Sequence, residues 1–402
     1  MKYVSLLKKF YMSNDNGVKD YNELINSPST LKFNIKYDDY PFFVNVNNEI
    51  LRLTEKIYAL NGKILKNTYG NKRLPPIILK WIVNRTLVEE IRISNEIEGV
   101  VSTRKEINEL MSKKNPNKYK RLYGMVNKYR QLIRDNEELV INSSNDIRNL
   151  YNKTMLMDVE KDNPKNVPDG KIFRKELVSV VASEREIHRG LYPEEKVIDT
   201  MEEALRILND ESISLLVRVA VFHYFFGYIH PFYDGNGRMS RFISSIYLNK
   251  ELDILCSLQL SVSCKHHQKQ YYESFKIAND KRNKGDLTHF VISFLEILEY
   301  GLETLKNSIE EKIIQFFHYS NVIGEKIAVT NKNVHNLLYV LLQNKLFGVD
   351  DLKLNDLVKI LEISKSSVNK LLLDEQVQKF VVVNKSEKSF RYSLNLDVFD
   401  NL

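Results

Sequence analysis

One polar block between two apolar runs constrains the fold of this chain most. The block runs from His230 to Arg241 and reads HPFYDGNGRMSR. Apolar residues dominate positions 215–226 before it and 242–248 after it, so the pattern predicts two buried helices joined by a tight loop. A loop that opens a helix offers free N–H groups and the positive end of the helix dipole, and glycine lets an anion approach the backbone closely. The block therefore predicts a place where a phosphate chain can be held.

The side chains of the block have the chemistry that phosphate transfer requires. Arg238 and Arg241 are three residues apart, so both would project from the first helical turn toward the same anion. Asp234 is a hard oxygen ligand, suited to a Mg²⁺ ion that keeps several waters and bridges phosphates. His230 can act as a base near neutral pH.

Two simpler interpretations of the block explain less. In an EF-hand register, Asp234 would be the third loop position, which puts Phe232 first and Ile243 twelfth. Neither residue can coordinate calcium as that motif requires. A capped turn would explain residues 234–237 but not the histidine and the two arginines around them.

The block matches the signature H-P-F-x-D-G-N-G-R-x-x-R in full and thereby resembles the Fic family. Most Fic proteins move AMP from ATP onto a Tyr, Thr or Ser hydroxyl of a target protein and release pyrophosphate. The resemblance implies ATP as substrate, Mg²⁺ held by Asp234, and His230 as the base that takes the hydroxyl proton. It also implies an anion hole and a phosphate clamp made by Gly235, Asn236, Gly237, Arg238 and Arg241. Members that transfer the γ-phosphate instead have a lysine in place of Gly237, which disfavours a phosphotransferase.

A hairpin is predicted ahead of this block. Residues 177–182 and 187–192 have strand patterns around a turn at 183–186. The hairpin resembles the family's flap, which lays a target segment alongside by strand addition. The resemblance puts Val181 and Ala182 near the nucleotide.

Residues 268–279, after the block, resemble the family's Tyr-Tyr helix. Tyr272 and Asn279 thereby take places in the adenosine pocket, and their separation by two helical turns puts them on one side. Spacing alone gives equal weight to the alternative in which Tyr272 is a core residue and Asn279 ends the helix.

The segment from Ser94 to Gly99 reads SNEIEG and matches the motif [S/T]-x-x-x-E-[G/N] of the helix that inhibits Fic enzymes. It precedes the block, so inhibition would act in cis. The resemblance implies that Glu98 pairs with Arg241, which then cannot hold the γ-phosphate, so ATP binds badly or in an unproductive pose. The alternative is an ordinary solvated glutamate near a helix end.

The C-terminal part has a different character. Its patterns predict helices at 334–342, 354–361 and 364–373, followed by strands at 380–383 and 390–394 around a turn at 384–389. This order resembles a winged helix-turn-helix. DNA binding and a protein-interaction or dimerisation module are equal alternatives, because the electrostatic support is thin. Contacts to DNA would come from Lys365, Ser366, Asn369 and Lys370.

The composition agrees with a helical protein, since 402 residues include only 14 glycines and 9 prolines. The expected fold is mainly α: a helical Fic fold with one β-hairpin flap, plus the C-terminal winged helix. The expected domains are residues 1–110, an N-terminal helical region with the inhibitory motif; 111–305, the catalytic domain; and 306–402, the winged helix.

The remaining expectations concern surroundings and partners. The two cysteines have no metal or disulfide spacing, and no membrane span or signal peptide is expected, which indicates the cytoplasm. A net charge of +7 is compatible with nucleotide or nucleic-acid binding without arguing for either. The partner expected is an unidentified protein hydroxyl, and a homodimer is left open.

The predicted function is a self-restrained protein adenylyltransferase acting on ATP and a protein hydroxyl, its own included. Two alternatives stay open. One is a nucleotide-sensing transcriptional regulator or interaction protein. The other is a bifunctional enzyme that also removes AMP, with Glu98 aligning a water molecule.

Overall fold

A computed structural model describes residues 2–71, 74–113, 116–134, 139–182, 185–327, 331–385 and 389–400. Helices dominate these ranges, so the prediction of a mainly α fold is confirmed. The helices are α1 Leu6–Met12, α2 Val18–Ile25, α3 Asn48–Asn67, α4 Pro76–Ile97, α5 Arg104–Ser112, α6 Tyr123–Arg134, α7 Ser144–Thr154, α8 Leu156–Asp162, α9 Glu194–Asn209, α10 Leu215–Ile229, α11 Asn236–Leu248, α12 Ile254–Ser257, α13 Leu260–His266, α14 Gln268–Ala278, α15 Thr288–Val322, α16 Lys332–Phe347, α17 Leu354–Leu361, α18 Lys365–Leu372 and α19 Glu375–Gln378. The strands are β1 Thr30–Tyr37, β2 Tyr40–Asn45, β3 Ser179–Ala182, β4 Arg185–Arg189, β5 Leu352–Lys353, β6 Val381–Asn384 and β7 Arg391–Leu394.

The chain divides into two compact units. The first contains Met1–Gly62 and Glu89–Glu303, and the second contains Lys63–Val88 and Thr304–Leu402. Helices α3, α4 and α15 contribute residues to both. Everything predicted for the nucleotide site lies in the first unit.

Helix α10 is the centre of the first unit. Every residue of it except Gly227 is buried, because the sequence is apolar on all faces and has no side to turn to water. Helices α9 and α11 pack against it. This arrangement fixes the two helices on either side of the polar block, as the apolar runs predicted.

The Asn- and Asp-rich composition of the N-terminal stretch 13–29 predicts loops, and that prediction is wrong for residues 18–25. Helix α2 forms there, and its Tyr21, Leu24 and Ile25 pack on Leu6 and Phe43. Three apolar side chains on one face give the helix apolar surface to bury, and this tertiary packing outweighs the polar composition of the stretch.

A hairpin that the sequence analysis missed follows α2. Strands β1 and β2 are antiparallel, with Tyr37 opposite Tyr40. Phe33 and Ile35 are buried while the residues between and beside them are exposed, which is the period-two pattern of a half-buried strand. The signal was therefore present in the sequence.

The predicted flap hairpin is present and shorter than expected. Strands β3 and β4 are antiparallel, with a register shift between Val180 and Val181. The second strand ends at Arg189 rather than at residue 192, because the N–H of Leu191 donates to the carbonyl of Ile229 in α10 and not to the first strand. Positions 183 and 184 of the predicted turn lie outside the described residues.

The end of the second unit contains α16 to α19 and an antiparallel sheet of strand order β5-β7-β6. Glu362, with φ of 56°, makes the turn between α17 and α18. Residues 386–388 of the predicted 384–389 turn lie outside the described residues. The winged-helix interpretation and its two alternative partners stay predictions. The side chains proposed for DNA are exposed: Lys365, Ser366, Asn369 and Lys370.

Among the described residues, none of the helices has both the length and the apolar character needed to cross a membrane.

Candidate active site

The polar block forms a tight loop between α10 and α11. His230 ends α10 in the left-handed conformation, with φ of 52°, and its N–H donates to the carbonyl of Phe226 at 3.0 Å. This conformation costs a non-glycine residue roughly 1–2 kcal/mol, so surrounding contacts must hold it. Gly235 begins α11 with φ of 84°, a region that glycine adopts without that cost.

Side chains inside the loop keep it closed. The amide of Asn236 accepts from the N–H of Phe232 at 3.0 Å and donates to its carbonyl at 2.8 Å. The ring of Tyr151 stacks on that of Phe232 at 3.8 Å, and its hydroxyl donates to the carbonyl of Asp234 at 3.2 Å. The side chain of Asn236 thus has a structural task, and only its backbone N–H is left for an anion.

The start of α11 is an open cradle for an anion. The N–H groups of Asn236, Gly237 and Arg238 make no bond with any described residue, and α11 has no side-chain cap. Free N–H groups at a helix start, together with the helix dipole, attract negative charge. A Cβ added to Gly237 would overlap Oε1 of Glu98, which shows that a carboxylate already lies against this cradle.

Asp234 and Arg238 face each other across the same turn. Nη2 of Arg238 donates to Oδ1 of Asp234 at 3.2 Å, and the N–H of Gly235 donates to the same oxygen. Oδ2 of Asp234 has no hydrogen bond with a described residue, and Nε of the buried Arg238 has no partner either.

One free carboxylate oxygen beside a phosphate cradle fits a Mg²⁺ ion that takes most of its other ligands from water and phosphate. A site made from protein groups alone does not fit, since no cluster of three His, Cys, Asp or Glu side chains suited to a metal occurs in the described ranges.

His230 is held in a low-polarity position. Burial lowers the pKa of His230 to about 3, and the charges of His188 and Arg174 lower it further. The imidazole is therefore neutral at neutral pH, which is the form that can accept a proton.

Arg241 is paired with the predicted inhibitory segment. Its side chain is 1% exposed, and its Nη2 donates to Oε1 of Glu98 at 2.8 Å. Nε and Nη2 also donate to the hydroxyl and the carbonyl of Ser94, at 3.1 and 2.8 Å. Burial opposes the charge of Arg241, but Glu98 outweighs this and raises the pKa of the guanidinium above its usual value. Gly99, with φ of 73°, ends the helical path just beyond.

The segment and the polar block contact each other along a continuous row. The contacting residues are spaced by four: Glu90 and Ser94 on α4, and Glu98 one residue past its end, face Ser245, Arg241 and Gly237 on α11. Residues four apart lie on one face of a helix, so one face of α4 and its extension contacts one face of α11. The contact of Glu98 is thus the last of three in one row.

Glu90 is the fully buried end of this row and was not predicted. Its carboxylate accepts from the hydroxyl of Ser245 at 3.3 Å, and from the N–H and the hydroxyl of Ser261 at 2.9 and 2.6 Å. Burial raises the pKa of Glu90 to about 7, although these hydrogen bonds and the charge of Arg241 lower it. The carboxyl therefore fastens α4 to both α11 and α13.

We expect Glu90 to make the protein less stable as the pH rises from about 4.5 to about 7. In this window the folded protein retains a proton on Glu90 that the unfolded chain has released, so the free energy of unfolding falls as the proton is removed. The full effect corresponds to roughly 3 kcal/mol. Urea unfolding across this range should give a smaller fall for Glu90→Gln than for the parent. The exposed Glu55→Gln is the control; if the two variants share one pH profile, Glu90 does not titrate as described.

A second buried polar cluster lies behind Arg241. The imidazole of His223 contacts the hydroxyls of Ser244, Ser240 and Tyr271 at 2.9, 3.1 and 2.7 Å. Burial lowers the pKa of His223 to about 3, with a further contribution from Arg241. A neutral His223 can therefore hold α11 and α14 together without adding charge beside the arginine.

The predicted adenosine residues lie at different depths. Tyr272 is 42% exposed, and partial burial together with the charge of Glu98 raises its pKa. Asn279 caps α14, and its Oδ1 accepts from the hydroxyl of Tyr224 at 2.8 Å. Val181 and Ala182 pair with Glu186 and Arg185 through the backbone of the hairpin, and their side chains lie outside what is described.

Sequence reasoning missed three buried charged or titratable residues beside the site: Glu90, Arg174 and His223. Glu90 could have been found, since it stands four and eight residues before Ser94 and Glu98. His223 interrupts an apolar run, but periodicity gives it no partner. Arg174 follows a loop, and nothing local in the sequence indicates that it is buried.

Comparisons with known proteins agree with this geometry. Residues 141–248 match the family model described as Fic/DOC family. A protein adenylyltransferase Fic from Drosophila erecta is 30% identical over 134 residues, and its Drosophila melanogaster counterpart is 29% identical over 134 residues. Each match covers 32% of this chain and 25% of the relative, so the chain spans about a quarter of those proteins.

A solved structure has a similar fold. The crystal structure of a Fic family protein from Desulfovibrio desulfuricans G20 aligns with a TM-score of 0.52 and 19% identity, over 87% of this chain and 97% of that chain. At this identity the similarity concerns the fold alone.

Proposed function

We propose, from the premise that this chain carries a domain of the Fic family, that it is a transferase that moves AMP from ATP onto a protein hydroxyl. The observation that carries the proposal is the cradle at the start of α11. Free N–H groups at 236–238 and two buried arginines lie there, at the end of the loop that begins with the neutral imidazole of His230. Such a site stabilises spread negative charge, which is the main demand of phosphoryl-type transfer.

The proposed step uses this chain's residues in three roles. His230 takes the proton of the target hydroxyl, whose oxygen forms a bond to the α-phosphorus of ATP. The bond between that phosphorus and the bridging oxygen breaks, and pyrophosphate leaves with the bonding electrons. Arg238, Arg241 and the N–H groups of the cradle hold the phosphate oxygens, which positions the reacting atoms and offsets their charge.

Asp234 is the residue that would hold Mg²⁺ through its free Oδ2. A bound Mg²⁺ would neutralise phosphate charge and orient the leaving group. Asp234 already orients Arg238, so one carboxylate would contact both the metal ion and an arginine of the phosphate clamp.

Restraint of the activity is part of the proposal. The carboxylate of Glu98 occupies both Arg241 and the space over Gly237, which are groups proposed for phosphate. Two anions cannot share one arginine and one cradle without repulsion, so ATP would have to displace Glu98.

The position of the radioactive phosphorus in ATP tests the proposed reaction. The full chain carrying Glu98→Gly should label protein from ATP with ³²P at the α-phosphate and not at the γ-phosphate, and His230→Ala in the same background should not label. Label from the γ-phosphate would indicate a phosphotransferase instead. Absence of label from either position, with nucleotide still bound, would favour the nucleotide-sensing regulator.

We expect Asp234→Asn to lose at least roughly 10²-fold of the transfer rate and most of its magnesium dependence. The neutral amide binds Mg²⁺ poorly and also weakens the charge pairing that orients Arg238. Rates measured across a Mg²⁺ titration test this, with Asp199→Asn, at an exposed position on α9, as the control. An Asp234→Asn protein with the parent's magnesium curve would show that the metal is held elsewhere.

A further inference from the structure

Arg174 is a buried cation without a carboxylate partner among the described residues. It is 1% exposed and lies in the loop before strand β3. Burial lowers the pKa of its guanidinium, as expected for a charge removed from water. A buried guanidinium is stable only when its donors are satisfied.

Backbone carbonyls satisfy those donors, and two of them belong to the end of α10. Nε of Arg174 donates to the carbonyl of His230 at 2.8 Å, and Nη2 reaches the carbonyl of Ile229 at 3.4 Å. The N–H of Arg174 also donates to the carbonyl of Pro231 at 3.2 Å. Residue 174 therefore contacts three consecutive carbonyls around the proposed base.

The other donors reach the two ends of the flap hairpin. Nη1 donates to the carbonyl of Glu176 before the hairpin, and Nη2 donates to the carbonyl of Leu191 after it, at 2.8 Å. The N–H of Leu191 in turn donates to the carbonyl of Ile229 at 3.1 Å. One side chain thus ties the base of the hairpin to the end of α10.

We propose that Arg174 is the positioning residue that holds His230 in its left-handed conformation and fixes the imidazole relative to the flap hairpin. The conformation of His230 is unfavourable by itself, and the contacts of Arg174 are made to the carbonyls on both sides of that residue. The planar guanidinium suits this task, since its donors point in fixed directions while an ammonium has one centre. The proposal rests on the proposed function only for its effect on the rate.

The kinetic test uses Arg174→Gln and Arg174→Lys in the Glu98→Gly background. Arg174→Gln should lower kcat for AMP transfer by roughly 10–100-fold and change KM for ATP by less than about threefold, since the base is displaced while the cradle is kept. Arg174→Lys should recover only a minor part of kcat. Full recovery of kcat by lysine would mean that positive charge suffices. A rise in KM for ATP as large as the fall in kcat would mean a general loss of structure. Either result overturns the proposal.

Arg148→Gln is the matched control. Its guanidinium also donates to loop carbonyls, of Ile172 at 2.8 Å and Pro168 at 3.3 Å, but it makes no hydrogen bond with His230. This variant should keep the parent's kcat. A loss equal to that of Arg174→Gln would assign the effect to the loop as a whole and overturn the proposal.

Gly190→Ala tests the same positioning role if the Arg174 variants do not fold. A Cβ at this position would overlap Nη2 of Arg174 and approach Cβ of His230 to 3.0 Å, so it displaces the contact without removing the cation. Its kcat should fall roughly tenfold with KM for ATP retained. An unchanged kcat would contradict the proposal.

Nuclear magnetic resonance separates this inference from the proposed function. The imidazole signal of His230, assigned by its loss in His230→Ala, should shift or split in Arg174→Gln and stay in place in Arg148→Gln. That result would support the positioning role even if no AMP transfer were found. An unchanged signal in Arg174→Gln would overturn it even in an active enzyme.

Discussion

His230→Ala should lower protein labelling from ATP by roughly 10²–10⁴-fold, which is the usual contribution of a positioned general base. The loss is expected because the target hydroxyl must release its proton as it attacks, and His230 is the neutral imidazole beside the cradle. Binding of ATP should change little, since the phosphate contacts are proposed for α11 rather than for the histidine. Labelling and nucleotide affinity measured on the same preparation separate the two effects.

The exposed His266→Ala is the control for a histidine lost far from the loop. Labelling by His230→Ala at the parent's rate would remove His230 from the catalytic role. A parallel loss of ATP affinity would instead indicate that the loop has collapsed.

Glu98→Gly should raise both the transfer rate and the affinity for ATP, by roughly 10–100-fold if the coupling is about 1.4–3 kcal/mol. Removal of the carboxylate frees Nη2 of Arg241 and clears the space over Gly237, so one change opens both phosphate contacts. Calorimetric titration with ATP and steady-state labelling measure the two gains.

Two further variants define the route of inhibition. Glu96→Gln lies two residues away and pairs with Arg92 and Lys265 instead, so it should leave both quantities unchanged. Glu98→Gly combined with Arg241→Ala should return to low activity, because the released arginine is then missing. A double variant as active as Glu98→Gly alone would show that inhibition does not pass through Arg241.

The sequence alone was sufficient for the loop and its two helices. A long, mostly apolar run predicts a buried helix, and the glycine before α11 takes a φ of 84° that few other residues adopt. These are local constraints, written in neighbouring residues. The four-residue spacing of Ser94 and Glu98 is local too, and the resemblance to the inhibitory motif implied the pairing with Arg241 that the structure contains.

Tertiary structure decided what lies around that loop. Helix α2 formed from a polar stretch because Phe43 was there to cover it, and Glu90 and Arg174 are buried because partners far along the chain satisfy them. Arg174 is 56 residues from the carbonyl that it contacts at His230, and Glu90 is 171 residues from Ser261. Burial of a charge depends on donors and acceptors that folding brings together, and no local pattern records them.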